Sequence, residues 1–232
     1  METTYARARS QAMRGDALRT DRLAAGAGAF FVISVIVQNV LRSSEPHGDA
    51  SPDKVVAYFA THRAAALIPL GLFPLGMVAL FFFVSGVTSN RDADATAAWW
   101  SRVGLLGTVV IAALFALVNT SDIVLAAKSR DLTAAPDVVR AVWAIHGAAF
   151  SLNMAAIGAA LLGLSRAALA AGVLPRWLDV PSVVGSACLA VSACFAVATV
   201  NGGAWIVLGL VGFVVWVVFV VAASAALARR GA

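Results

Sequence analysis

From Val180 to Ala228 the chain runs for forty-nine residues without one charged side chain. Such a run has no polar face to offer water. It is more than twice the roughly 20 residues that a helix needs to cross a bilayer. Asn201-Gly202-Gly203 interrupts it near the middle, a turn signal where a tight helical hairpin needs one. The run therefore reads as two spans, about 180–200 and 204–228. Upstream, four more stretches are apolar and long enough: Leu23–Leu41, about Ala64–Thr88, Val103 to about Ala127 with Asp122 near its far end, and about Val142–Ser165.

Six spans of this kind define an integral membrane protein. Of 232 residues, 61% are hydrophobic and only 12% charged, too little polar surface for a soluble domain of this length. Helices satisfy their own backbone groups in lipid, and no period-2 patterning suggests a barrel. The expected fold is an all-α membrane protein of six transmembrane helices. Residues 1–22 form a basic tail, and 23–232 a single transmembrane domain. The net charge of +5 comes from arginines and lysines scattered over the ends of the spans, which points to topology rather than to nucleic acid. Cys188 and Cys194 lie six apart in an apolar run and read as packing residues, with no disulfide framework or metal motif.

The chain also repeats itself. Residues 52–65 read PDKVVAYFATHRAA and residues 136–149 read PDVVRAVWAIHGAA, eight identities in fourteen at an offset of 84. In each copy Pro and Asp open a helix in the expected way, and a histidine follows ten residues later. Asn39 and Asn119 hold equivalent places in spans 1 and 3, and Asn201 ends span 5. The expected plan is three helical hairpins as parallel repeats, about 23–102, 103–179 and 180–228, related by an axis along the membrane normal. Two short amphipathic segments, starting at Pro52 and Pro136, are expected outside the membrane. Asn90–Arg102 is expected as a polar loop anchored by Trp99 and Trp100.

Eleven Lys and Arg fall on the side of the termini and six on the other. The positive-inside rule then predicts a cytoplasmic (inner) membrane protein with both termini in the cytoplasm. The polar residues inside the spans collect toward the opposite end. Asn39, His62, Asn119, Asp122, His146, Asn153 and Asn201 are the candidate ligand-binding set, since polar groups in a membrane interior usually face the bundle. A plainer reading has the asparagines ending helices in the left-handed conformation and the histidines bonding neighbouring carbonyls at the interface. Asp122 follows Asn119 by three residues, as Arg42 follows Asn39, so the repeat sets the two charges at one depth. They are expected to form a structural pair.

No metal, cofactor or nucleic acid is expected, and no catalytic residue can be assigned. The only lysines, Lys54 and Lys128, lie outside the spans, and no nucleophile elbow or Asp-rich cluster occurs. The glycines Gly158, Gly163, Gly185, Gly209 and Gly212 read as close helix packing. Expected partners are the lipid bilayer, a small-molecule ligand, and either a second copy or another membrane protein.

The VLPRWL entry to span 5 (Val173–Leu178) and the tryptophan-bearing last span that ends in arginines carry a resemblance. Over the last four spans the chain resembles six-span bacterial integral membrane proteins grouped under domain-of-unknown-function names. That resemblance implies no activity or cofactor. The three-hairpin plan is also similar to mitochondrial-type carriers, in geometry alone, because their signature is missing from the odd spans. Three functional readings follow. The first is a binding or transport protein with an outward-facing pocket between hairpins. The second is a membrane-embedded enzyme using His/Asp acid-base chemistry. The third is a non-catalytic helper subunit of a membrane complex.

Overall fold

A computed structural model describes residues 2–89, 95–201 and 203–231, with side chains from Leu18 onward. The chain is 88% helical, and no strand occurs among the described residues, as a backbone in lipid requires. In chain order the helices are α1 (Glu2–Arg42), α2 (Pro52–Thr61), α3 (Arg63–Thr88), α4 (Ala95–Lys128), α5 (Pro136–Ala170), α6 (Asp179–Cys194), α7 (Ala196–Val200) and α8 (Ile206–Gly231). Six of these are long and apolar enough to cross a membrane among the described residues: α1 from Leu18, α3, α4, α5, α6 with the turn before it, and α8.

Each span packs on the next in sequence, and α8 returns to α1, so the six close into a ring. The ring has two ends. One carries both termini, where Arg22 of α1 donates to the carbonyl of Gly231. The other carries the linker of residues 43–51, α2, and the connection between α4 and α5; we call it the linker end. Outward-facing positions such as Leu23, Leu106 and Val180 leave more than 60% of their apolar surface uncovered, which suits contact with lipid.

Within the ring, α5 is the most buried span. Its close approach to α4 rests on residues without side chains. A Cβ at Gly107 would lie 2.5 Å from the backbone nitrogen of Ala160, and one at Gly163 would collide with the backbone of Gly104. The two helices therefore touch backbone to backbone, the packing that small residues permit in lipid. Antiparallel registration then carries Asp122 of α4 to His146 of α5. A main core of Phe31, Leu80, Phe83, Leu161, Leu164, Trp216 and Phe219 fills the middle of the ring. A second, smaller core of Val55, Phe59, Leu125, Val139 and Trp143 fixes α2 onto α4 and α5 at the linker end.

The basic tail is helical from Glu2, continuous with span 1. Four local expectations change. The expected polar loop shrinks, because Ala95–Arg102 already forms the first turns of α4 and buries Ala97 and Ser101. Asn90–Asp94 of that loop and Gly202 of the expected turn lie outside the described residues. Span 5 is broken after Cys194, where Phe195 leaves the helix and stacks on Trp205 at 3.8 Å. Cys194 itself is exposed rather than packed.

The fourth change is the largest. The first amphipathic segment is a separate helix, α2, but the second is fused to span 4 as the start of α5. Local propensity would favour the reverse, since the second copy follows its histidine with Gly147 and the first with Arg63. Tertiary contacts decide instead. His146 is 7% exposed and held against Asp122, whereas His62 is exposed and has non-helical backbone angles (φ −103°, ψ 41°).

Candidate functional site

Three helices and the linker bring a compact charged cluster together at the linker end. Arg42 is the last residue of α1, and its Nη1 lies 2.7 Å from Asp122 Oδ2 on α4. Its Nη2 donates to Asn119 Oδ1 at 3.1 Å. The other carboxylate oxygen of Asp122 is 2.8 Å from His146 Nδ1, a close polar contact whose angle falls short of a well-directed hydrogen bond. Glu45, just past the end of α1, sets Oε1 3.5 Å from the same Arg42 Nη1. One guanidinium nitrogen thus faces two carboxylates. Asp122 is 1% exposed, so its charge depends wholly on these neighbours.

Aromatic side chains frame the cluster. Trp143 sits three residues before His146 on α5 and stacks on its ring at 4.4 Å, nearly parallel. Its indole nitrogen donates to the carbonyl of His47 at 3.1 Å, which ties the linker down onto α5. Gly48 in that linker needs its missing side chain, because a Cβ there would meet the carbonyl of Val200 at 2.5 Å. The linker, α5 and the α7–α8 joint consequently wall a cleft of about 500 Å³. Arg42, Glu45, His47, Trp143, His146 and Phe150 are among its lining residues. Below it, sharing Asn39, Arg42 and Phe150, lies a small cavity of about 40 Å³ bounded by Phe31, Phe73, Phe115, Phe213 and Trp216.

The residues singled out from sequence divide sharply. Asn119, Asp122 and His146 meet in the cluster, and Arg42 pairs with Asp122. Asn39 borders the cleft but is exposed, its amide donating to the carbonyl of Val35 one turn back. Asn119 makes the same bond to Phe115. Both asparagines lie inside their helices, and no non-glycine residue among those described has positive φ, so neither ends a helix in the left-handed conformation. Asn201 does end α7, with φ −85°, and borders a neighbouring cleft that includes Arg140 and Trp143. Asn153 is fully buried in α5, and neither amide atom has a hydrogen-bond partner. His62 stays outside, stacked on Tyr58 at 5.0 Å with Nδ1 beside the Thr61 hydroxyl.

Sequence reasoning missed Glu45, His47 and Trp143. A signal existed for the first, an acid within one turn beyond Arg42. For Trp143 it was the i, i+3 spacing to His146, which puts the two rings on one face. No group of three or more His, Cys, Asp or Glu able to hold a metal occurs among the described residues.

Burial pushes the Glu45 carboxyl up from 4.5 to about 7; Arg42 opposes the rise and Asp122 adds to it. The folded state therefore holds this proton more tightly than the unfolded chain. The stabilising contribution of this group is fully present below pH 4.5, where both states are protonated. It should fall as pH rises through the interval to about 7, by about 3 kcal/mol in full. Glu45→Gln, always neutral, should raise the detergent melting temperature at pH 8 and flatten its dependence between pH 5 and 8. A variant no more stable than wild type at pH 8 would mean that the carboxylate is well solvated.

No family model matches the chain, and neither a curated protein nor a solved structure does.

Proposed function

We propose that this chain is a multi-pass membrane protein that binds a small molecule, for uptake or release, in the cleft at the linker end. The observation that supports it most is the charged cluster at the base of that cleft. A purely structural ion pair needs no cleft of about 500 Å³ beside it. Pockets of this volume are in the range that takes small ligands, with polar groups fixing orientation above an apolar floor. The matched pairs Asn39–Arg42 and Asn119–Asp122, each asparagine bonded one turn back, favour reading the first two hairpins as parallel repeats. The ligand would then sit where the repeats converge.

The test is chemical. Protein purified in mild detergent and then denatured in organic solvent should release one amphiphilic small molecule in near-stoichiometric amount. Gly147 lines the cleft, and a Cβ there would first meet the Val200 side chain at 3.3 Å. Gly147→Trp should therefore fill the cleft and abolish the release. Equal release from both proteins would place the molecule elsewhere, in the annular lipid.

Orientation belongs to the same proposal, with the linker end outside the cytoplasm and both termini within it. In a background lacking Cys188 and Cys194, cysteines replacing the exposed Ser44 and Thr133 should react with an impermeant thiol reagent in whole cells. Labelling confined to a cysteine at Gly172 would invert the assignment.

The contact between His146 and Asp122 is the one feature that favours an acid-base enzyme instead. Arg42 already occupies the other oxygen of that carboxylate at 2.7 Å, which favours the binding role.

A further inference from the structure

The charges around the cleft do not balance by themselves. Asp122 and Glu45 are two carboxylates that share one nitrogen of Arg42, at 2.7 and 3.5 Å. The groups facing Glu45 are Arg42 from α1, Asp122 from α4, His146 from α5, and Tyr58 from α2, with His47 in the same linker. Tyr58 adds no positive charge, and Arg42 is the one permanent cation among these groups. The cluster therefore lacks one positive charge whenever both carboxylates are ionised. A buried site does not leave such a charge open; it takes a proton or another cation.

What lies beside that deficit is shaped for an organic cation. Trp143, Phe150 and the two histidines border the cleft with aromatic surface, and ring faces attract desolvated cations. An apolar, aromatic cavity continues beneath. An inorganic metal ion is less suited, since no group of three metal-ligating side chains is present among the described residues.

Building on the small-molecule reading, we propose that the cleft takes an amphiphilic organic cation in exchange for one proton held on Glu45 beside Arg42 and Asp122. In the empty state that proton completes the charge. As the ligand's cationic group enters beside Glu45, that proton leaves to bulk water, so net charge in the cluster is unchanged. The elevated affinity of Glu45 for a proton fits this role, because the exchange then falls near neutral pH.

The experiment compares two probes of the same shape and opposite charge, tetraphenylphosphonium and tetraphenylborate, with the protein in nanodiscs of zwitterionic lipid. Wild type should bind the phosphonium saturably, about tenfold or more weakly at pH 5.5 than at pH 8, as expected when a proton occupies most sites. Near pH 6.5 binding should release about three quarters of a proton, read by calorimetry in buffers of different ionisation enthalpy. Glu45→Gln should weaken phosphonium binding at pH 8 and remove its pH dependence, and Gly147→Trp should abolish it. If tetraphenylborate binds in the cleft as tightly, or if Glu45→Gln binds the phosphonium as wild type does, the cation proposal is wrong while the binding cleft stands. If neither probe distinguishes wild type from Gly147→Trp, the cleft reading fails with it.

Discussion

Replacing Asp122 with alanine should lower the stability of the detergent-solubilised protein by about 3–5 kcal/mol, the usual consequence of removing one partner from a buried ion pair. The size follows from what remains behind. Arg42, whose side chain is only 13% exposed, would keep Glu45 at 3.5 Å but lose its 2.7 Å partner. His146 would lose the carboxylate oxygen 2.8 Å from its Nδ1. Asp131→Ala is the matched control, since Asp131 meets Lys128 at 3.6 Å with both side chains mostly in water. That change should cost at most about 1 kcal/mol. Exchanging the charges, with aspartate at 42 and arginine at 122, would rescue little. It would set a carboxylate next to Glu45, a like-charged contact in place of the attraction between Arg42 and Glu45. A small loss in Asp122→Ala, with the melting temperature near that of Asp131→Ala, would mean that water already solvates the site.

Gly163→Ala should be comparably damaging, through sterics alone. An added methyl would collide with the backbone of Gly104 and approach the carbonyl oxygen of Trp100 to 2.9 Å. Neither neighbour is a flexible side chain, so α4 and α5 must separate. Overpacking usually costs about 1–3 kcal/mol, and a backbone collision belongs at or above the top of that range. Separation at Gly163 would also disturb the approach of Asp122 to His146 farther along the same pair of helices. Gly71→Ala is the contrast. It lies in α3 with nothing within 4 Å of the new atom, and should be neutral or gain up to about 1 kcal/mol from helix propensity. Equal melting temperatures for the two variants would show that the helices are not in backbone contact.

How far the sequence reached can be judged from single residues. Uncharged runs located the spans because lipid leaves a helix no other composition, and the deviations are confined to their ends. The equal spacing from Asn39 to Arg42 and from Asn119 to Asp122 put opposite charges at one depth, and they lie 2.7 Å apart. His62 shows where repetition stops informing. It shares its motif with His146, yet it faces outward, because burial there was decided by α4 and not by the repeated residues. Glu45 and His47 lay in a linker with no periodicity to read. Their placement depends on Gly48 fitting against Val200, more than 150 residues away, and on the indole of Trp143 reaching the His47 carbonyl. Contacts of that kind leave no local trace in the chain. Asn153 was marked as polar in the right zone, but its complete burial with neither amide atom hydrogen-bonded was beyond sequence reasoning.

The account as a whole rests on Arg42 and Asp122 acting as one unit that joins α1 to α4 at the base of the cleft. A double-mutant cycle with Arg42→Gln, Asp122→Asn and the combined variant, followed by reversible unfolding in mixed micelles, measures that directly. Asp122→Asn keeps the shape of the side chain, and Arg42→Gln keeps a polar amide while removing the charge. The account predicts a coupling of about 2 kcal/mol or more, at the upper part of the range for residues in direct contact. Additive effects within about 0.5 kcal/mol would contradict it, since residues that do not sense each other behave in that way.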